Sequence, residues 1–278
     1  MAIATVKIPK KFGDICSLIR DGHSDGIEKL HTYSGLEHQK MAVLAEVAYF
    51  DGEFDKALSI DIELCPFWQE WHYSNIREEH TAAMAFVARA LGKQDEIISL
   101  FEEQIALLDS NSEMPTHIKN AYKKNYENRI EYMKSGIVPN FSERETYKPL
   151  ESPLPLEEIR ESVMKENKKL NIDSDDGIFM MFKQVCTKGS LDDRLALYEK
   201  IADNNLSTMW HINALAGYNH LGDTEKAFEV VLRMAKQRLW FAAAATQVRP
   251  MEFFTHPAIY QFLGDASRLR KIVVAFQD

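Results

Sequence analysis

Apolar side chains recur at three- and four-residue intervals along most of this chain, in paired segments divided by a glycine. The clearest copy covers residues 215–228, and two others cover residues 44–58 and 84–97. An apolar or small residue stands five positions after each dividing glycine: Ala57, Ile97 and Ala227. This spacing is typical of amphipathic helices. The pattern therefore predicts helical hairpins that bury their apolar faces by stacking on one another.

The same periodicity sets the predicted helix boundaries. In the first half of the chain we expect helices over residues 12–20, 25–33, 36–50, 53–64, 75–91, 94–108 and 115–134. In the second half we expect them over residues 156–170, 175–187, 191–202, 208–221 and 224–237. Ser174 and Ser190 each precede acidic residues, which is typical of helix N-caps. Apart from a short strand that residues 4–8 could form, the predicted fold class is all-α.

A proline-rich segment separates the two halves. Four of the nine prolines lie between residues 138 and 155, and proline lacks the backbone donor that a helix needs. We therefore predict an N-terminal helical block over residues 1–137, a linker over 138–155 and a C-terminal helical block over 156–278. The apolar stretch at residues 250–263 is expected to be a short cap that seals the last hairpin of the second block.

The hairpin segments resemble the tetratricopeptide repeat superfamily. Leu215, Tyr218, Gly222 and Ala227 match its pattern of large, aromatic, turn-glycine and small residues. A second match is made by Leu44, Ala45, Ala48, Gly52, Phe54 and Ala57. The resemblance covers about half of the chain and concerns structural positions. It implies a right-handed α-solenoid of stacked antiparallel hairpins, whose first helices line a concave groove of the kind that binds peptides or proteins.

That resemblance also implies which side chains line the groove. The set mixes polar and aromatic residues, which suits an extended peptide with backbone hydrogen bonds and side-chain pockets. The implied partner-binding residues are Gln39, Glu46, Tyr49, Glu79, Phe86, Arg89, Lys183, Asn219 and His220.

An aromatic cluster interrupts the pattern between residues 66 and 73. Its rings belong to Phe67, Trp68, Trp71 and Tyr73. Tryptophan and tyrosine are common at binding hot spots, so the cluster could form a ligand pocket or a protein contact. The alternative that we favour is that the rings fill the wedge between two hairpins, because clustered aromatic side chains are usually buried.

Composition narrows the classes of partner. The 278 residues carry a net charge of −9, which disfavours nucleic-acid binding because that depends on neutralising phosphates. Such a charge favours a basic protein or peptide partner, or serves solubility alone, which is the commoner reason. Three widely spaced cysteines and the lack of a long apolar run predict a cytoplasmic protein without a membrane segment. Homo-oligomerisation stays open.

No motif in the sequence predicts catalysis. It contains no HExxH sequence, no zinc-type cysteine pair, no phosphate-binding glycine loop and no GxSxG sequence. The SxxK sequence at residues 162–165 lacks the partner motifs of the hydrolases that use it. We therefore assign no catalytic residue, no cofactor and no metal ligand.

Three functions remain as hypotheses. The first is a non-enzymatic, cytoplasmic module that binds a protein or peptide. The second is an immunity or antitoxin type of protein whose acidic first block neutralises a basic toxin. The third is a small-ligand sensor or enzyme with its site near Trp68 and Trp71.

Overall fold

The computed structural model describes residues 8–70, 74–137, 149–204, 206–237, 247–249 and 251–278, with the side chains of 69–70, 74–76, 252 and 257–258 left out. Within these ranges the regular structure consists of fourteen α-helices and two 3₁₀ helices, without a strand. The expected all-α class is confirmed. The strand considered for residues 4–8 lies almost wholly outside the described residues.

The α-helices are numbered in chain order. They are α1 (Lys10–Arg20), α2 (Gly26–Thr32), α3 (Glu37–Phe50), α4 (Phe54–Leu64), α5 (Ser74–Leu91), α6 (Gln94–Ser110), α7 (Thr116–Ser135), α8 (Leu156–Glu166), α9 (Asp175–Lys188), α10 (Leu191–Ile201), α11 (Thr208–Leu221), α12 (Thr224–Lys236), α13 (Pro257–Leu263) and α14 (Ala266–Gln277). The 3₁₀ helices are Cys65–Glu70 and Met251–Thr255.

Most helix predictions are confirmed to within two residues at each end. The largest difference is at α8, which ends four residues early because Asn167 terminates it. The side chain and the backbone N–H of Asn167 both donate to the carbonyl of Val163, at 3.1 and 2.9 Å. The helices α13 and α14 were not predicted, because α13 lies in a segment that was interpreted only as a cap and α14 follows it.

The helix ends follow local chemistry. The Ser174 hydroxyl accepts from the backbone N–H of Gly177 at 3.3 Å, and the Ser190 hydroxyl accepts from that of Asp193 at 3.1 Å. Both predicted N-caps are thus present. Gly222 ends α11 in the left-handed region, with φ of 73°. Glycine has no Cβ and adopts the left-handed region at the least cost, which explains the glycine at this turn.

The chain forms two compact units, and their limits differ from the predicted blocks. Unit 1 comprises Met1–Asn140 together with Trp240–Asp278, and unit 2 comprises Phe141–Leu239. The prediction that residues 250–278 belong to the second block is therefore wrong. The 3₁₀ helix Met251–Thr255, α13 and α14 all pack on α5 of unit 1, and α14 also packs on α3. Apolar residues in the tail indicate burial, but their spacing does not say which surface they cover.

In both units, neighbouring helices in the chain pack against each other. In unit 1 the pairs α3 with α4 and α5 with α6 are in contact, and α4 also contacts α5. In unit 2 the pairs are α9 with α10 and α11 with α12, and α10 contacts α11. No helix among the described residues is both long enough and apolar enough to cross a membrane.

A substitution at Gly222 tests whether the left-handed turn after α11 requires glycine. Gly222→Ala should lower the free energy of unfolding by about 1 kcal/mol, because an L-residue is disfavoured in the left-handed region. An added Cβ would meet no atom within 4 Å, so the loss would come from the backbone alone. Gly222→Asn is the control and should cost less, since asparagine tolerates this region. Urea unfolding curves measure both; an alanine variant as stable as the wild type would contradict the assignment.

Candidate functional site

The expected groove residues of unit 1 are buried by the chain itself. Glu46 and Tyr49 on α3, and Glu79 and Phe86 on α5, have almost no exposed surface. The expectation that these four side chains line an open groove is therefore wrong for this structure. Residues 247–249 and 251–260, which follow about 200 positions later in the chain, contain the side chains and backbone groups that contact them.

Residues 247–249 are held largely through their backbone. One carboxylate oxygen of Glu46 accepts from the N–H of Val248 at 2.6 Å and from that of Arg249 at 3.3 Å. Arg20 on α1 donates to the carbonyl of Gln247 at 2.5 Å. The side-chain amide of Gln247 in turn donates to Glu79. Three helices thus supply charged side chains to one short stretch of chain outside the helices.

Aromatic rings anchor the residues that follow. The ring of Phe254 lies 5.8 Å from that of Tyr49 and 5.6 Å from that of Phe50. The ring of Tyr260 lies 4.6 Å from that of Phe86. Because Phe254 is almost fully buried, these contacts add a large apolar term to the polar contacts of residues 247–249.

Glu46 belongs to a buried network of charged and polar side chains. Tyr49 donates from its hydroxyl to Asp61 on α4 at 2.7 Å, and Nδ1 of His80 on α5 lies 2.9 Å from the other oxygen of Asp61. Nε2 of His80 lies 3.8 Å from the second carboxylate oxygen of Glu46. We call Glu46, Tyr49, Asp61 and His80 the buried network.

The pKa values follow from burial and from the charges inside the network. Burial lowers the pKa of His80, but Asp61 and Glu46 outweigh it and raise that pKa from 6.5 to about 10. His80 is therefore an imidazolium at neutral pH and carries a proton on both ring nitrogens: Nδ1 donates to Asp61 at 2.9 Å, and Nε2 faces Glu46 as an ion pair at 3.8 Å. Burial raises the pKa of the Glu46 carboxyl, opposed by His80 and the two backbone N–H groups. The network thus holds a carboxyl group ready to accept hydrogen bonds from a peptide backbone.

The network has part of the geometry of a catalytic dyad. An aspartate–histidine pair activates a nucleophile when the second ring nitrogen faces a hydroxyl or thiol. In this structure that nitrogen faces Glu46 at 3.8 Å, and His80 has no exposed surface. The arrangement therefore fits the holding of a buried charge better than the activation of a nucleophile.

The remaining predicted residues of unit 1 are engaged elsewhere. Arg89 is partly exposed and donates to the carbonyl of Met133 on α7 at 2.8 Å, so it joins α5 to α7. Gln39 is largely buried on α3.

The aromatic cluster divides into a buried and a partly exposed part. Trp68 has no exposed surface and its ring lies 6.1 Å from that of His80, which makes Trp68 a core residue. The ring of Phe67 is partly exposed and stacks on His38 at 3.9 Å. Trp71 and Tyr73 lie outside the described residues. Of the two described rings, Trp68 fills the core and Phe67 lies partly at the surface.

Unit 2 presents its predicted residues at the surface. Lys183 on α9 and His220 on α11 are exposed, and Asn219 is partly exposed. The same two helices carry partly exposed rings: Phe179 on α9 and Trp210 on α11 are in edge contact at 5.7 Å. Met209 is 65% exposed. We call the surface formed by Phe179, Lys183, Met209, Trp210, Asn219 and His220 the α9–α11 face.

A second polar network positions the α9–α11 face. The Tyr198 hydroxyl lies 2.7 Å from Nδ1 of His211, and Nε2 of His211 lies 3.0 Å from the side-chain oxygen of Gln237. Burial lowers the pKa of His211, so its neutral ring accepts from Tyr198 and donates to Gln237. Arg233 also binds Glu199 at 2.8 Å. These contacts tie α11 to α10 and to the end of α12.

Sequence reasoning missed Arg20, Asp61, His80 and Gln247. A usable signal existed for Asp61, since it stands on the buried stripe of α4 with Ala57 and Leu64, and a charge on an apolar stripe implies a buried partner. No comparable signal marks Gln247, because its contacts lie more than 160 positions away.

Comparison with protein-family models, with curated proteins and with solved structures finds no match to this chain. Within the part of the chain that the structure describes, no group of three or more histidine, cysteine, aspartate or glutamate side chains is placed to hold a metal ion.

The raised pKa of His80 predicts how stability depends on pH. Between pH 6.5 and about 10 the folded chain keeps a proton that the unfolded chain releases. The stabilisation is therefore complete below pH 6.5 and is lost as the pH rises, at up to about 1.4 kcal/mol per pH unit. Urea unfolding between pH 7 and 8.5 measures this slope. The buried thiols contribute to the loss of stability only at higher pH. Burial raises their pKa values above 9.0, the pH above which the unfolded chain begins to lose these protons.

Nitrogen-15 NMR of the histidine rings provides an independent measurement. At pH 7.5 the ring of His80 should carry both protons, whereas that of His211 should be neutral. Spectra of His80→Gln and His211→Gln identify the two signals. A neutral His80 ring at this pH would contradict the proposed charge of the network.

Proposed function

We propose that this chain is a non-enzymatic, tetratricopeptide-like protein that binds a protein partner on the α9–α11 face of unit 2. The observation that carries the proposal is that Met209 is 65% exposed on α11, next in the chain to Trp210, whose partly exposed ring contacts that of Phe179. Hot spots of protein interfaces are enriched in tryptophan, and methionine adapts to irregular apolar surfaces. The partner expected here is a protein segment with an apolar side chain that packs against these rings.

The spacing of exposed residues on α11 supports a continuous contact surface. Met209, Asn213, Ala216 and His220 recur every three or four residues and are exposed or partly exposed. They therefore form one stripe along the helix. Its N-terminal end is apolar and its C-terminal end is polar, which gives an anchor site and a polar rim.

The consecutive hairpins of unit 2 support the tetratricopeptide-like part of the proposal. Gly217 on α11 allows close packing against α10, since an added Cβ would lie 2.8 Å from a side-chain carbon of Leu191. Ala227 is fully buried on α12. Small residues at such positions are what the superfamily resemblance requires, and they let α9 and α11 present their outer sides together.

A charge placed on this face should abolish binding. Met209→Glu should reduce partner capture at least tenfold, since the loss of a hot-spot residue costs about 2 kcal/mol. The side chain is exposed, so thermal unfolding should be unchanged. The measurement is quantitative mass spectrometry after affinity capture with the tagged full chain in a lysate of its source cells.

Met164→Glu is the matched control. Met164 is 49% exposed on α8 and belongs to unit 2 but not to the α9–α11 face. Capture by this variant should equal that of the wild type. A set of captured proteins that neither variant changes, or the capture of none, would count against the proposal.

A further inference from the structure

Residues 247–249 are recognised as a bound peptide would be. Backbone groups inside proteins are normally satisfied by helices or sheets. Here the N–H groups of Val248 and Arg249 are satisfied by Glu46, and the carbonyl of Gln247 by Arg20. Hydrogen bonds to backbone groups do not depend on which side chains the bound segment carries, so these contacts impose little sequence selectivity.

Side-chain contacts at both ends of the segment add selectivity. At one end the amide of Gln247 reaches Glu79, and both side chains are buried. At the other end Phe254 enters the space beside Tyr49 and Phe50. The requirement is thus a glutamine-type amide, backbone N–H groups outside a helix at the next two positions, and an aromatic residue seven positions after the glutamine, within a 3₁₀ helix.

We propose that the α3–α5 surface of unit 1 is a peptide-binding groove that residues 247–249 and 251–255 occupy in cis, and that a separate peptide of the same chemistry binds there when the internal segment is weakened. This groove is a second binding site, apart from the α9–α11 face. Its occupant is a peptide with a glutamine and an aromatic pair spaced as in residues 247–254, non-helical at the glutamine and in a 3₁₀ turn at the aromatic pair.

Covalent connection explains why the internal segment prevails in the wild type. A tethered segment competes at an effective concentration in the millimolar range, well above that of a peptide in solution. A change that weakens only the internal segment leaves Arg20, Glu46 and Glu79 in place. The same contacts are then offered to a peptide from solution.

The probe is a fluorescein-labelled synthetic peptide with the sequence of residues 246–256. Its binding to the full chain is measured by fluorescence anisotropy. The Phe254→Ala chain should bind the peptide at least tenfold more tightly than the wild-type chain does. A peptide with serine at both phenylalanine positions should bind at least tenfold more weakly to that variant, and so should the wild-type peptide to a chain that carries Glu46→Gln in addition.

Gln247→Ala and Val274→Ala complete the experiment. Gln247→Ala removes a polar contact of the internal segment without opening the apolar core, and it should also tighten peptide binding. This variant decides the outcome if circular dichroism shows that Phe254→Ala has lost helix. Val274 is exposed on α14, so its variant should match the wild type. Equal binding by the wild-type, Phe254→Ala and Gln247→Ala chains, or no binding by either weakened chain, would overturn the proposal.

Discussion

Unit 1 depends on the pairing of a buried carboxyl group with a peptide backbone. A carboxylate in a protein interior is costly unless hydrogen bonds and an opposite charge compensate it. Glu46 receives both, from the N–H groups of Val248 and Arg249 and from the nearby ring of His80. Because Asp61 holds that ring from α4, three helices and a segment 202 positions away share one electrostatic arrangement. Removing Glu46 would leave the N–H groups of Val248 and Arg249 without the carboxyl group that accepts from them.

The predictability of this fold from sequence depends on distance along the chain. The caps at Ser174 and Ser190 and the turn at Gly222 depend on neighbouring residues, and the helices around them were predicted closely. The position of residues 247–263 depends on a surface built from the first half of the chain, which no periodicity specifies. The same reason applies to Glu46 and Glu79. They were expected to line an open groove, but residues from the end of the chain bury them. What covers a helix face is a tertiary property.

The charge of the two buried histidines likewise cannot be predicted from neighbouring residues in the sequence. His80 and His211 are both inside the protein, and burial alone lowers the pKa of each. His80 lies between two carboxyl groups, which raise its pKa, whereas His211 lies between a phenol and an amide. One ring is therefore charged and the other neutral at the same pH. The sequence shows two histidines on helices and does not reveal which partners each will meet.

Equivalent positions on first helices thus have different physical roles in the two units. In unit 1 they hold buried charges that bind the chain's own backbone, and their burial is part of the stability of the fold. In unit 2 Lys183 on α9 and His220 on α11 are exposed, so their replacement would alter a surface more than a core. A groove position inferred from a repeat pattern therefore marks a surface that can hold a polypeptide. Whether the occupant comes from the same chain or from another depends on the rest of the sequence, and here the segment at residues 247–255 supplies it for unit 1.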